Sequence, residues 1–473
     1  MLRLAIAAVC CLAVTAWAFA QPGLTEGLVP HQVIQVQADD TASLTLVGDG
    51  GTGSVEVRWQ PGGDWQALGN ARNGEWSGTI EGIPVGGPYT LELRNADAPD
   101  AVSAMGPFFC GDLWVLAGQS NMQGVGNNLA VTPPHERVMV FAMNDEWRPA
   151  SEPLHRLPEA IDVVHNRDEQ RTELPGPAVE VSGWTKGAGL GLAFATAVTE
   201  ATERPIGLIA NAHGGTSMDQ WDPGKRDEGG ASLYGSLYRR VQAVGGDVTG
   251  LLWYQGESDA NEGAAPLYKE KFRAFIEAIR ADFNDPTLPF HYVQIGRYTA
   301  PHPSTHWDAV QHAQYELAAE MDAVEVIASI DLGLDDRIHI DTPGLRILGE
   351  RLAKRVLTEV YGAANYGAPP RLQQVTREEN RFGRYYRLQF DVPNGGLAAP
   401  GLLHGFTIYD TDGAQHVFKQ KIDPADPTAI RLWVMQFPQT AYLFHGRGLD
   451  PHCNLTDTAG FALPAFGHVV IRE

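Results

Sequence analysis

Four short segments carry residue types that together could perform acyl-transfer chemistry. The run Leu113-Trp114-Val115-Leu116-Ala117 reads as a buried strand and ends in Gly118-Gln119-Ser120-Asn121-Met122. A serine immediately after a strand stands on a turn at the carboxyl edge of a sheet. There it can act as a nucleophile, or it can simply cap a helix or a turn. After Leu208-Ile209-Ala210 comes Asn211-Ala212-His213-Gly214-Gly215-Thr216. Two glycines let the backbone approach a ligand, and their N–H groups could then meet an oxyanion. After Leu251-Leu252-Trp253-Tyr254 comes Gln255-Gly256-Glu257-Ser258-Asp259. The Gln255 side chain could donate to the same oxyanion, or it could fix its own loop. Finally, Asp335-Asp336-Arg337-Ile338-His339 precedes a helix expected over ~344–361. An aspartate three residues before a histidine can hold one imidazole nitrogen and leave the other for a serine. The histidine then takes the serine proton, and the aspartate fixes the tautomer and stabilises the imidazolium. Asp336 is the preferred orienter, with Asp335 as its competitor. Each segment alone is a weak signal; four of them at successive strand ends point to one site of nucleophilic catalysis.

Such a site needs a sheet to carry it. Residues 206–210, 251–254, 291–295 and 324–330 read as further short buried strands. Tyr268, Phe272, Phe275, Ile276, Ile279 and Phe283 recur at helical spacing, as do Leu345, Leu348, Leu352, Val356 and Val360. Alternating strands and helices over 107–367 predict a three-layer α/β/α domain with a parallel sheet, whose ligand site lies beyond the carboxyl ends of the strands. Residues 21–106 instead alternate apolar and polar residues between glycine-rich turns, as in Ser43-Leu44-Thr45-Leu46-Val47 and Ser54-Val55-Glu56-Val57-Arg58-Trp59. Residues 368–473 do the same in Tyr386-Arg387-Leu388-Gln389-Phe390 and Ile430-Arg431-Leu432-Trp433-Val434, after Pro369-Pro370. Both flanks are expected to be β-sandwich domains.

The motifs resemble those of the SGNH-type serine esterases, in the branch of sialate O-acetylesterases and acetyl-xylan esterases. The resemblance rests on Gly118-Gln119-Ser120-Asn121-Met122, on Gly214-Gly215-Thr216 with Trp221, on Trp253-Tyr254-Gln255-Gly256-Glu257-Ser258-Asp259, and on Asp336 to His339 leading into Leu348-Gly349-Glu350-Arg351-Leu352-Ala353. It implies Ser120 as nucleophile, His339 as base and Asp336 as its orienter. It also implies an oxyanion hole from the Ser120 N–H, an N–H of Gly214 or Gly215, and Gln255. The implied activity is removal of O-acetyl groups from carbohydrate, most closely of the sialate O-acetylesterase kind, without metal or organic cofactor. Sialate-type members often carry His-Pro after the catalytic loop, whereas this chain has His339-Ile340-Asp341-Thr342-Pro343. That loop looks more like the acetyl-xylan esterases, so acetylated plant or algal polysaccharide is the alternative substrate. A catalytically inactive sugar-binding protein is the alternative from another class, and a thioesterase or lipase of the same superfamily is a third.

Composition narrows the partners. The 473 residues leave room for about three domains. A hydrophobic content of 44% can fill packed cores. A formal net charge of −22 makes nucleic acid and anionic membrane surfaces poor partners. Arg3, the apolar run 4–19 and Ala18-Phe19-Ala20 before Gln21 read as a secretory signal peptide cleaved near Ala20, too short to span a bilayer. The mature protein is therefore expected outside the cytoplasm, in the periplasm or the medium, without membrane insertion. Its two remaining cysteines, Cys110 and Cys453, could form a disulfide or stay as buried thiols. His155, His165 and His213 are not at metal-ligand spacing. His213 could touch substrate; Trp221 could stack on a sugar ring or fill a core. Glu257 and Asp259 could serve as acid/base carboxylates, but with a triad already complete they are expected to play structural roles.

Overall fold

The computed structural model describes residues 21–51, 53–166 and 180–472. The expected signal peptide lies outside them. The chain divides into two compact units. The first comprises the described part of Met1–Val29 with Ser43–Ile83 and Tyr89–Gly106. Here the strand Thr41–Asp49 lies between Gly23–Glu26 and Glu75–Pro84, and Gly53–Gln60 pairs antiparallel with Gln66–Ala71 and Gly86–Asn95. The period-two pattern does what a half-buried strand requires. Leu44, Leu46, Val55, Val57, Leu91 and Leu93 turn inward, while Thr45 and its like turn out.

The second unit comprises Pro30–Ala42, Pro84–Pro88 and Pro107–Glu473. Its sheet runs in the order Trp147–Pro149, Val138–Phe141, Ile206–Ala212, residues 107–118 of the strand Ala98–Gly118, Gly250–Tyr254, Phe290–Val293 and Val324–Ile327. All of these neighbours are parallel except Trp147–Pro149, which is antiparallel at the edge. From the central strand the chain lays down the two outer strands of one side, returns to insert Ile206–Ala212 beside the centre, then crosses to the other side. Residue 118 therefore lies at the point where the winding reverses, where open α/β sheets leave a crevice.

Helices cover both faces, and two tryptophans mark the sides. Trp114 meets Phe194 of the helix Gly191–Thr202, with ring centroids 5.1 Å apart. The adjacent-strand residue Trp253 points the opposite way and meets Phe272 and Phe275 of the helix Tyr268–Asp282. The helix Thr342–Glu359 packs on Gly191–Thr202, and Thr305–Leu317 packs on Tyr268–Asp282. The result is the three-layer α/β/α core.

After it come two antiparallel sheets. One contains Arg371–Asn380, Gly383–Asp391, Asp426–Val434 and Val417–Asp423; the other contains Phe406–Tyr409, Thr440–His445 and Phe466–Arg472. Tyr386, Leu388, Leu432, Phe406, Ile408 and Leu443 form their shared core. This β-rich part belongs to the same compact unit as the α/β core. Gln294, fully buried, clasps the Ala465 backbone through both its amide oxygen and its amide nitrogen.

Cys110 and Cys453 are buried free thiols, both pushed up to about 12 by desolvation.

Candidate active site

Ser120 begins the one-turn helix Ser120–Gln123, directly after the central strand. The turn requires Gly118. Its φ is +134°, and a Cβ there would lie 2.3 Å from the carbonyl oxygen of Tyr254 on the neighbouring strand. The Gln119 N–H donates to that same carbonyl at 2.8 Å, so the chain turns sharply while still pinned to the sheet.

His339 arrives from the loop between Val324–Ile327 and the helix Thr342–Glu359. Its Nε2 lies 2.9 Å from Ser120 Oγ, and its Nδ1 lies 2.7 Å from Asp336 Oδ2. The other carboxylate oxygen of Asp336 accepts the N–H groups of Ile338 and His339, both at 2.9 Å. Partial burial raises the Asp336 pKa, but the bonds from His339 and from these two N–H groups outweigh it, and the carboxyl falls to about 2. Asp336 therefore stays ionised through the working range. With a carboxylate at Nδ1, the imidazole carries its proton there and presents a lone pair to Ser120.

The Asp335 backbone N–H donates to the His339 carbonyl at 2.8 Å, but its carboxylate turns away from the imidazole. It accepts from the Asn127 N–H at 3.0 Å and from the Asn127 side-chain amide, and pairs with Lys186 Nζ at 2.8 Å. Two neighbouring aspartates thus have separate tasks: Asp336 holds the histidine, and Asp335 ties down the strand pair Gly126–Asn127 and Lys186–Ala188.

Gln119, Ser120, Gly214, Gly215, Glu257 and His339 line a cleft of about 410 Å³. Gly214 packs so tightly that a Cβ on it would lie 3.1 Å from the Ser120 Cβ. Its N–H donates to Gln123 Oε1 at 2.8 Å. Glu257 has one buried oxygen without a hydrogen-bond partner. Burial drives its pKa up to about 7, against the opposing effect of a bond from Asn121.

Three sequence expectations are corrected. Gln255 does not face the cleft. It is fully buried, and its amide nitrogen donates to the Thr216 carbonyl at 2.9 Å and to the Asp259 carboxylate. Asp259 in turn accepts the Met218 N–H, so Gln255 and Asp259 tie the Gly214-Gly215 loop to its neighbour. Trp221 is also fully buried. Its indole N–H donates to Thr216 Oγ1 at 2.9 Å, and its ring packs edge-on to Trp253, so no face is left for a sugar. His213 is 7% exposed and stacks on His165, with the two Nδ1 atoms 3.2 Å apart. Among the described residues, no group of three or more His, Cys, Asp or Glu side chains is placed to hold a metal ion.

Sequence reasoning gave no role to Gln123 or to the Asn121 side chain, although both lie inside or beside the serine motif. An amide in a one-turn helix gives no sign of where it points.

A prediction follows for Gln255. Gln255→Ala strands the Thr216 carbonyl and removes one donor from Asp259, at about 1–3 kcal/mol for each unsatisfied group. The expected result is a Tm lowered by several degrees with kcat per folded molecule nearly unchanged. Thermal melts beside active-site-titrated rates check this; a ~10²-fold loss of kcat at constant Tm would return Gln255 to the oxyanion hole.

The fold and the cleft define a hydrolase-like α/β protein with a serine at the reversal point of its sheet. Residues 110–358 match the family model described as carbohydrate esterase, sialic acid-specific acetylesterase, and the chain belongs to that family of carboxylic ester hydrolases. It is 30% identical over 288 residues to a probable carbohydrate esterase of Arabidopsis thaliana, covering 55% of this chain and 95% of the relative. It is 24% identical over 259 residues to the sialate O-acetylesterase of Homo sapiens, covering 48% of this chain and 47% of the relative. The chain thus spans about half the length of that enzyme. A solved carbohydrate acetylesterase from Xanthomonas citri shares the fold, with a TM-score of 0.67 at 22% identity over 94% of this chain and 99% of that one.

Proposed function

We propose that this protein is an exported serine esterase that removes O-acetyl groups from a carbohydrate, most closely a sialate-type sugar, through an acetyl-enzyme. The observation that carries this reading is the continuous chain from Ser120 Oγ to His339 Nε2, and from His339 Nδ1 to Asp336, at the mouth of a cleft. Ser120 Oγ attacks the acetyl carbonyl carbon, and its proton passes to His339 Nε2. The C–O bond to the sugar breaks as that proton moves to the departing sugar oxygen. Water then attacks the acetyl carbon, His339 takes its proton, and acetate leaves as Ser120 regains a hydrogen. The tetrahedral oxyanion is held by the N–H groups of Ser120 and of the Gly214-Gly215 turn. The oxyanion displaces Gln123 Oε1 from the Gly214 N–H. Export rests on the apolar run at the N-terminus. No helix among the described residues is long and apolar enough to cross a membrane.

The loop departure that suggested xylan has a local cause. Asp341 caps the helix Thr342–Glu359 by accepting the Gly344 N–H at 2.8 Å, and Pro343 stands in its first turn, where its missing N–H costs nothing. These residues start a helix, which is a structural role open to either substrate. Acetate release from O-acetylated sialic acids and from acetylated xylan, measured side by side, tests the substrate. We expect a higher kcat/KM on the sialic acids; preference for xylan overturns that choice and leaves the esterase reading in place.

The two aspartates supply a second test. Asp336→Asn loses the charge that stabilises imidazolium and favours the wrong tautomer, so kcat should fall ~10²–10⁴-fold. Asp335→Asn should lower Tm and change kcat less than tenfold. Steady-state rates on both variants check the order, and the reverse order would make Asp335 the orienter. With the Asp336 carboxyl at about 2, loss of activity on mild acidification is not loss of the aspartate charge.

A further inference from the structure

The residue after the nucleophile carries an arrangement that the triad does not explain. Asn121 is 1% exposed. Its Oδ1 accepts the N–H of Ile340 at 3.0 Å, and its Nδ2 donates to the carbonyl of Ile338 at 3.4 Å. Ile338 and Ile340 are the two neighbours of His339, so one amide grips the backbone on both sides of the base. The second Nδ2 hydrogen goes to Glu257 Oε1 at 2.8 Å. An amide has two donors and one acceptor oxygen, and here each faces the complementary group. Turning it over would set NH₂ against an N–H and oxygen against two acceptors. The orientation is therefore fixed by Glu257 and the Ile338 carbonyl together.

The three loops that meet at this amide follow three different strands. Asn121 follows Ala98–Gly118, Glu257 follows Gly250–Tyr254, and residues 338–340 follow Val324–Ile327. Asp336 orients the imidazole from within its own loop, through bonds to residues 338 and 339. That contact fixes the ring relative to the loop and leaves the loop's distance from Ser120 to other contacts. Asn121 adjoins Ser120 covalently, so its grip on residues 338 and 340 sets that distance directly.

We propose that Asn121, held in orientation by Glu257, is a positioning residue that places His339 at bonding distance from Ser120. The proposal rests on the reading of Ser120 and His339 as nucleophile and base. Proton transfer is sharply dependent on distance, and a misplacement of about 1 Å can cost ~10²-fold in rate. Substrate contacts made elsewhere in the cleft are untouched, so the loss should fall on kcat and leave KM in place.

The test compares Asn121→Ala, Glu257→Gln and Glu257→Ala with wild type and with Ser120→Ala. Rates of p-nitrophenyl acetate hydrolysis and of labelling by a small organophosphonate are measured per folded molecule. Asn121→Ala should lose ~10²-fold in kcat with KM within about threefold, and its labelling should slow in parallel, because labelling also needs the base. Glu257→Gln keeps an acceptor oxygen for Asn121 and should retain most of the rate, whereas Glu257→Ala should not. A purely structural Asn121 would instead lower Tm and leave kcat and labelling per folded molecule intact, which overturns the proposal. Equal loss in Glu257→Gln and Glu257→Ala overturns the orienting role of Glu257. If Asn121→Ala does not fold, Asn121→Ser and the Glu257 pair give the same comparison. Should Ser120→Ala stay active, the reading of the site itself fails; should it be inactive while Asn121→Ala works normally, the positioning role alone fails.

Discussion

Ser120→Ala is expected to reduce kcat by ~10⁴-fold or more while Tm stays within a few degrees of wild type. The size follows from what the hydroxyl does. In triad enzymes, deletion of the nucleophile leaves only the catalysis supplied by oxyanion donors and substrate positioning. The stability forecast follows from the surroundings. Ser120 is half-buried, and among the described residues its hydroxyl bonds only to Nε2 of the half-buried His339. Its loss therefore strands no buried partner. The remaining activity should not respond to a serine-directed phosphonate. Retention of more than about a tenth of the wild-type rate would place the nucleophile elsewhere.

His339→Ala should be nearly as damaging, again ~10⁴-fold or more in kcat. The double variant, Ser120→Ala with His339→Ala, should be little worse than either single one. A nucleophile without its base and a base without its nucleophile are equally idle, so the two effects do not multiply. A double-mutant cycle on kcat checks this. Strict multiplication of the two losses would mean that Ser120 and His339 act independently, despite their 2.9 Å separation.

Much of the core was readable because its signals were physical and local. The run at 113–117 is fully buried at the end of the central strand, and apolar residues at helical spacing lie on the inner face of Tyr268–Asp282. Other elements hid for reasons of packing. The helix Gly191–Thr202 is buried on nearly every side at its start. Gly349 of the crossing helix comes so close that a Cβ there would lie 2.6 Å from the Leu190 carbonyl. A helix enclosed in this way shows little polar contrast. In Thr305–Leu317 the pattern is disguised by Gln311 and Gln314, buried polar residues that satisfy the Ile295, Gly296 and Gln255 carbonyls. The expected strand at 291–295 ends at Val293, since the Ile295 N–H is taken by the Gln314 side chain.

The site divides the same way. Ser120, Asp336 and His339 could be placed together from type and strand-end position, because short loops after parallel strands converge on one edge. Gln255 could not. Strand-end position brings it near the cleft, but which way its amide turns is decided by Thr216 and Asp259, from loops that the sequence does not align. Asn121 was equally opaque, since its partners Glu257, Ile338 and Ile340 lie far along the chain.

During turnover an acetyl group is expected to pass through Ser120. Rapid quenching of the enzyme during turnover of an O-acetylated sugar, followed by peptide mass mapping, tests it most directly. One acetyl group is expected on Ser120, formed within the first turnover, lost on further incubation and absent from Ser120→Ala. Acetate release at full rate with no acetylated Ser120 at any time, or a transient acetyl group on another residue, would contradict it.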